Sequence, residues 1–272
     1  LTWRSIANRV WQYHFGRGLV DSPSDFGRMG SSPTHPELLD WLACELRDSG
    51  GSLKSLHRVI LTSAVYRQSS GGELDAAAHQ KAEAIDADNR WLWRMNRQRL
   101  DAESIRDAAL VLSGQLDTRM EGPSVRQFIQ SPGVHVTPKV DYAGFDVDDP
   151  SNRRRSVYRF VFRTLPDPFM EALDCPDASQ WTPRRTTSVT ALQALAMWND
   201  KFMVRQSQHL AERIVQSASG APDEEVRIAF RLVFGREPAD AEAKSMRLYV
   251  DQHGWANACR VLLNSNEFLF VD

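Results

Sequence analysis

Long hydrophobic runs are missing from this chain. No apolar stretch approaches the roughly 20 residues that carry a helix across a bilayer, so no helical membrane span is expected. Cysteine is scarce: Cys44, Cys175 and Cys259 lie far apart in 272 residues. That spacing excludes a CxxC pair, a zinc knuckle and a CxxCH haem-attachment motif, and it allows one disulfide at most. Charge of one sign is missing too, since 33 Lys+Arg face 35 Asp+Glu for a formal charge of −2. General nucleic-acid binders and polybasic membrane binders need an excess of basic residues, and neither class fits. Lysine is the rarest charge, with 5 Lys against 28 Arg. The planar fork of arginine pairs bidentately with carboxylates, so internal Arg–Asp/Glu networks are one expectation, with genome base composition as the alternative source of the skew. Neither a GxSxG elbow nor HExxH occurs.

What is present is helical periodicity. Apolar residues recur at Trp3, Ile6, Ala7, Val10 and Trp11, and Gly16 with Gly18 supplies the stop. Thr34 and Glu37 stand at capping-box spacing with Pro36 in the first turn. Leu38, Leu39, Leu42, Ala43 and Leu46 follow as one stripe, and after Gly50-Gly51 a second stripe runs through Leu53, Leu56, Ile60 and Ala64, which predicts an antiparallel helical hairpin. A further helix is predicted from about Arg97 to Ser113, with Arg97–Asp101, Arg99–Glu103 and Glu103–Arg106 at helix-neighbour spacing.

From Asp117 to Arg155 the period disappears. Gly122-Pro123, Pro132-Gly133, Pro138 and Asp149-Pro150 break any helix, while Val134, Val136 and Val140 allow a short strand or hairpin. A connection this long is more often functional than a simple linker, and a lid or binding loop is expected there. Ser156–Thr164 fits strand or helix. Helices return at Ser188–Lys201, Phe202–Ser217, Asp223–Phe234, Ala239–Gln252 and Trp255–Asn264. Phe15-Gly16-Arg17 and Phe234-Gly235-Arg236 echo each other at two helix ends, although three residues alone do not establish a repeat.

The expected fold is therefore mainly α: an N-terminal helical lobe over 1–116, an irregular Arg-rich region over 117–187 and a C-terminal helical lobe over 188–272, forming one compact multi-helix domain. The chain opens at Leu1 inside an amphipathic stretch with no export-signal pattern before it, so it reads as a fragment of a longer protein.

Candidate chemistry is sparse. None of His14, His35, His57, His79, His135, His209 and His253 pairs at the i,i+4 spacing of a helical metal site, so a metal centre would need ligands from distant segments. No metal ligand is assigned. Asp146, Asp148 and Asp149 resemble a calcium loop faintly, but glycine is missing at its sixth position and glutamate at its twelfth. The acid/base candidates are His57, Asp101, Glu103 and Asp107, and neighbouring arginines explain those carboxylates equally well. Arg153-Arg154-Arg155, flanked by Arg159 and Arg163, is the basic run. With Trp181, Arg184 and Arg185 it makes a candidate ligand site for sulfate, phosphate or a carboxylated sugar. The alternative is that these arginines pair with Asp146, Asp148 and Asp149.

Longer segments carry a family likeness: Ala7-Asn8-Arg9-Val10-Trp11 running into His14-Phe15-Gly16-Arg17-Gly18-Leu19-Val20, then Pro33-Thr34-His35-Pro36-Glu37-Leu38-Leu39-Asp40-Trp41, then Thr62-Ser63-Ala64-Val65-Tyr66-Arg67-Gln68. Arg99-Leu100-Asp101-Ala102-Glu103, Ala191-Leu192-Gln193-Ala194-Leu195 and Leu262-Leu263-Asn264-Ser265-Asn266-Glu267-Phe268 continue it. Together they resemble the planctomycete-specific C-terminal domain of unknown function that accompanies cytochrome-c-like modules in secreted proteins. The resemblance implies a periplasmic or extracellular location, upstream domains of the same parent protein as partners, and haem in an upstream module rather than a cofactor here. It supplies no catalytic residues. The functional expectation is a binding or interaction module, with a polysaccharide hydrolase and an electron-transfer docking domain as alternatives.

Overall fold

The computed structural model describes residues 1–71, 75–133, 138–180 and 182–271. Among them the chain is mainly α-helical and divides into two compact units, the first built from Leu1–Gln98 and the second from Arg99–Phe270. The helix over residues 102–112 packs with the C-terminal helices, within the second unit.

The first unit holds α1 (Thr2–Phe15), α2 (Pro36–Asp48), α3 (Leu53–Thr62) and α4 (Ala76–Ile85). α1, α2 and α3 bury one shared core of Ala7, Val10, Trp11, Phe15, Leu39, Leu42, Leu46, Leu56 and Ile60. Most of these are positions that the 3.6-residue period marks, and their burial is what stabilises helices this short; Leu53, at the start of α3, and Ala64, beyond its end, are exposed. Trp3 and Ile6, at the start of the α1 stripe, are exposed. α1 stops at Gly16, whose φ of 75° is left-handed and favours glycine. The following loop is tied back by buried Asn8, which donates to Val20 O at 3.0 Å and accepts from Val20 N–H at 2.8 Å. A Cβ on Gly18 would stand 2.5 Å from Val20 O, so only glycine fits this crossing.

The expected capping box at α2 does not form. His35 is the N-cap without a side-chain cap bond, and the Thr34 amide is drawn to Leu19 O at 2.9 Å instead. The His35 imidazole bonds Thr34 Oγ1 at 2.9 Å and packs edge-on against Trp91.

The second unit contains α5 (Ala102–Leu112), α6 (Pro168–Ala172), α7 (Ala191–Asn199), α8 (Lys201–Ser217), α9 (Pro222–Phe234), α10 (Asp240–Leu263) and α11 (Asn266–Leu269). α8 is the central helix, packed by α5, α7, α9 and α10. Its buried residues Phe202, Met203, Leu210, Ala211 and Ile214 meet Ile105, Ala109 and Leu110 of α5 and Ala258, Cys259, Leu262 and Leu263 of α10. α5 begins later than Arg97 because Asp101 is its N-cap, its carboxylate accepting from Ser104 N–H at 2.8 Å. Arg97 and Arg99 therefore lie off the helix. The two predicted segments within α10 are divided at Gly254, whose φ of 78° and ψ of 162° are not helical.

The irregular middle carries little regular structure. Ile129–Ser131 pairs antiparallel with Lys139–Asp141, Gln130 opposite Val140, which is the expected hairpin, though Val134 and Val136 lie outside the described residues. Pro150–Arg153 and Ser156–Tyr158 are short 3-10 turns, so Ser156–Thr164 is neither a full strand nor an α-helix. Single bridges join Asp117 to Arg154 and Val125 to Arg159.

Candidate functional site

Buried main-chain carbonyls in this irregular middle need donors, and arginines supply them. Arg106, on α5 and only 3% exposed, sends Nη1 to Arg154 O at 3.0 Å and Nη2 to Asn152 O at 2.5 Å. Its guanidinium lies 5.0 Å over the Phe202 ring and 3.6 Å from the Asp107 carboxylate. Burial, and behind it Arg159, pushes the Arg106 pKa down, while Asp107 and Asp167 oppose that fall.

Around this side chain opens a cavity of about 240 Å³, walled by Tyr142, Phe145, Phe169 and Phe202 and carrying Arg106, Arg159, Lys201, Asp167, Asp200 and Gln127. Arg159 is held by an ion pair to Asp167 and by Gln127 Oε1 at 2.5 Å. Asp167 also caps α6, accepting from Phe169 N–H at 2.9 Å. Lys201 Nζ donates to Ala143 O at 2.7 Å and to Phe145 O, pinning the middle region to the start of α8. Tyr142 donates its hydroxyl to Leu165 O at 2.8 Å. Asp200, the N-cap of α8, accepts from Phe202 N–H at 2.9 Å, yet burial, joined by Asp167, raises its pKa from the ordinary aspartate value. The arrangement sets three cationic groups against two carboxylates.

The sequence candidates fall elsewhere. Arg153 contributes its carbonyl to the Asp117 amide at 2.8 Å. Arg154 is buried: it donates to Arg119 O at 3.1 Å and Glu121 O at 2.7 Å and stacks 3.9 Å over the Tyr158 ring. Arg155 Nη1 reaches Met120 Sδ at 3.9 Å. Arg185 grips Glu103 bidentately at 2.6 and 2.8 Å and stands 3.4 Å from Asp101. Arg184 has a partner of its own, and Trp181 lies outside the described residues. Arg99 pairs with Asp174 at 3.1 Å, so the helix-neighbour pairs Arg99–Glu103 and Glu103–Arg106 give way to Arg99–Asp174 and Glu103–Arg185. Asp107 accepts from the Ser156 amide and hydroxyl, each at 2.7 Å. Among the described residues the acidic run finds other partners: Asp148 binds Arg205 at 2.7 Å, and Asp149 caps the Pro150–Arg153 turn. Among the described residues no three His, Cys, Asp or Glu side chains gather as a metal-holding group.

Of the acid/base candidates, only His57 meets another histidine. His57 Nδ1 lies 2.7 Å from His14 Nε2, the rings nearly perpendicular at 77°, with Tyr66 edge-on to His14 at 5.6 Å. The pKa of His14 is lowered by burial and then by His57.

Sequence reading singled out Arg159 and Arg106 for other reasons and missed Tyr142, Asp167, Asp200 and Lys201. Asp167 before Pro168 and Asp200 before α8 read as ordinary helix caps, which they also are. Nothing in their local pattern says that two caps share a cavity.

Neither a curated protein nor a solved structure matches this chain. The model of the family described as PSD1, protein of unknown function (DUF1553), matches residues 1–250, and the chain belongs to that family.

Proposed function

We propose that this protein is a binding module whose second unit takes a small anionic molecule, such as a carboxylate, sulfate or phosphate, in the cavity around Arg106, Arg159 and Lys201. The observation that carries the reading is the charge of that lining: three cations face two carboxylates, one of them Asp200, whose burial disfavours its negative form. The aromatic wall of Tyr142, Phe145, Phe169 and Phe202 lowers the local dielectric and strengthens such contacts. A volume of about 240 Å³ suits a compound smaller than a drug-sized ligand. The setting belongs to the same proposal: a secreted, multi-domain planctomycete protein in which a cytochrome-like module upstream is the partner and brings the haem.

The test is thermal unfolding of the chain with acetate, sulfate, phosphate and a uronic acid, because a ligand that binds only the folded state raises Tm. The expected result is a Tm rise with at least one of these anions that disappears in Lys201→Met and shrinks in Arg159→Gln. A flat response to all four overturns the reading.

A further inference from the structure

The echo between Phe15-Gly16-Arg17 and Phe234-Gly235-Arg236 extends along the chain into two runs of three helices with matching landmarks. Each copy opens on a helix that stops at a left-handed glycine, Gly16 at φ 75° and Gly235 at φ 70°. Each continues into a helix, α2 or the first part of α10, that ends at a positive-φ glycine: Gly50 and Gly51 in one, Gly254 in the other. The third helix carries Arg58-Val59-Ile60-Leu61-Thr62-Ser63 in the first copy and Arg260-Val261-Leu262-Leu263-Asn264-Ser265 in the second. The two serines end their helices alike. Ser63 Oγ donates to Ile60 O at 2.6 Å and accepts from Tyr66 N–H at 3.3 Å; Ser265 Oγ donates to Leu262 O at 2.7 Å and accepts from Phe268 N–H at 3.3 Å. On the opening helices the matched positions Ala7 and Val226, Val10 and Ala229, Trp11 and Phe230 are all buried.

Against this likeness, several matched positions are polar in the first copy and apolar in the second, and three of them meet one another. The first copy has His14, His57 and Tyr66 where the second has Val233, Cys259 and Phe268, all of which join the hydrophobic core of the second unit. The second copy shows that the frame stands with apolar side chains at these places. Polar groups there forgo apolar burial that the fold accepts, and such departures from local consistency mark functional positions. They also converge, since His14 on α1 and His57 on α3 are 43 residues apart and touch.

We propose that His14 and His57 form a two-imidazole chelate for a divalent transition-metal ion, Zn²⁺, Cu²⁺ or Ni²⁺, with Tyr66 walling one side. Imidazole nitrogen is a preferred donor for all three. Two such nitrogens, each about 2.0–2.1 Å from a tetrahedral ion, stand roughly 3.3 Å apart. The facing pair is already 2.7 Å apart, so a small side-chain rotation admits the ion. In the neutral pair one facing nitrogen carries a proton, and on metal entry that proton moves to the other nitrogen of the same ring, so net charge changes only by the ion. With no third His, Cys, Asp or Glu in the group among the described residues, the remaining positions go to water or to a metal-bound substrate.

The experiment is calorimetric titration of the untagged chain with ZnCl₂, CuCl₂ and NiCl₂ at neutral pH, each variant checked by circular dichroism. The expected result is one equivalent of at least one ion, weakened tenfold or more by His14→Val and by His57→Gln and unchanged by His253→Gln. Failure to bind any of the three ions, or binding that survives both substitutions, overturns the proposal. If either variant unfolds, sub-stoichiometric Cu²⁺ added to the wild-type chain decides by NMR: broadening centred on the His14 and His57 ring protons supports the site, and broadening centred elsewhere overturns it.

Discussion

Arginine does different work in two regions of the second unit. In the irregular middle, Arg106 and Arg154 are buried and donate to main-chain carbonyls of residues 119, 121, 152 and 154. At the α9–α10 edge, Arg236 is half-exposed and forks onto two carboxylates, Glu242 at 2.8 Å and Glu267 at 2.5 and 2.8 Å. Helices satisfy their own carbonyls, so an arginine beside them is free to pair with acids in water. A segment without helix or sheet leaves carbonyls orphaned, and a buried guanidinium with its five donors takes the place of the missing ladder. The first kind of arginine is therefore structural in a way that the second is not.

The comparison breaks if the two kinds respond alike to truncation. The largest effect is expected for Arg106→Met, which leaves the carbonyls of Asn152 and Arg154 without their donor and removes the charge facing Asp107. Denaturant unfolding should show a loss of about 3–5 kcal/mol, the range for breaking a buried charged network. A loss below about 1 kcal/mol would place Arg106 with the exposed pairs.

Asp174 sharpens the contrast by joining the two kinds, since it accepts from Arg99 at 3.1 Å, the Ser188 amide at 2.7 Å and Gln193 at 2.9 Å. Burial works to raise its pKa, but the hydrogen bonds from Ser188 and Gln193 and the charge of Arg99 outweigh burial and leave it lowered. A carboxyl with a lower pKa in the folded state stabilises the fold above its unfolded value of 3.8, and that contribution is lost as pH falls through 3.8 toward the folded value. Asp174→Asn should cost about 1–3 kcal/mol at pH 7. It should also flatten the decline of stability below pH 4 in acid unfolding curves, and an unchanged slope would remove Asp174 from the acid response.

The smallest effect belongs to Arg236→Ala. Its carboxylate partners return to water, so a loss of about 1 kcal/mol or less is expected, shrinking further in molar salt. A larger, salt-independent loss measured by thermal melting would show that the stacking of Arg236 on Phe230 and Phe234, at 5.3 and 5.7 Å, carries its contribution instead.

Much of the framework was legible because its causes are local. The stripe Leu39, Leu42, Leu46 repeats within one helix, and the glycines at 16, 50, 51, 235 and 254 mark stops wherever φ turns positive. The break at Gly254 inside α10 was readable from the gap between two apolar patterns. Where local rules compete, reading failed. Asp101 has the look of a helix residue beside Arg97, yet capping the Ser104 amide is the stronger use of its carboxylate. Glu103 and Arg185, 82 residues apart, pair across chain that no period connects.

The sequence by itself determined the apolar stripes of α2, α8 and α9 and the glycine stops after α1, α2 and α9, because those choices depend on residues three or four places apart. Tertiary structure alone decided that Arg106 spans the loop carbonyls, that Asp167 and Asp200 share one cavity and that His14 meets His57. Each of those outcomes depends on which distant groups packing leaves without a partner, and that condition exists only once the chain has closed on itself.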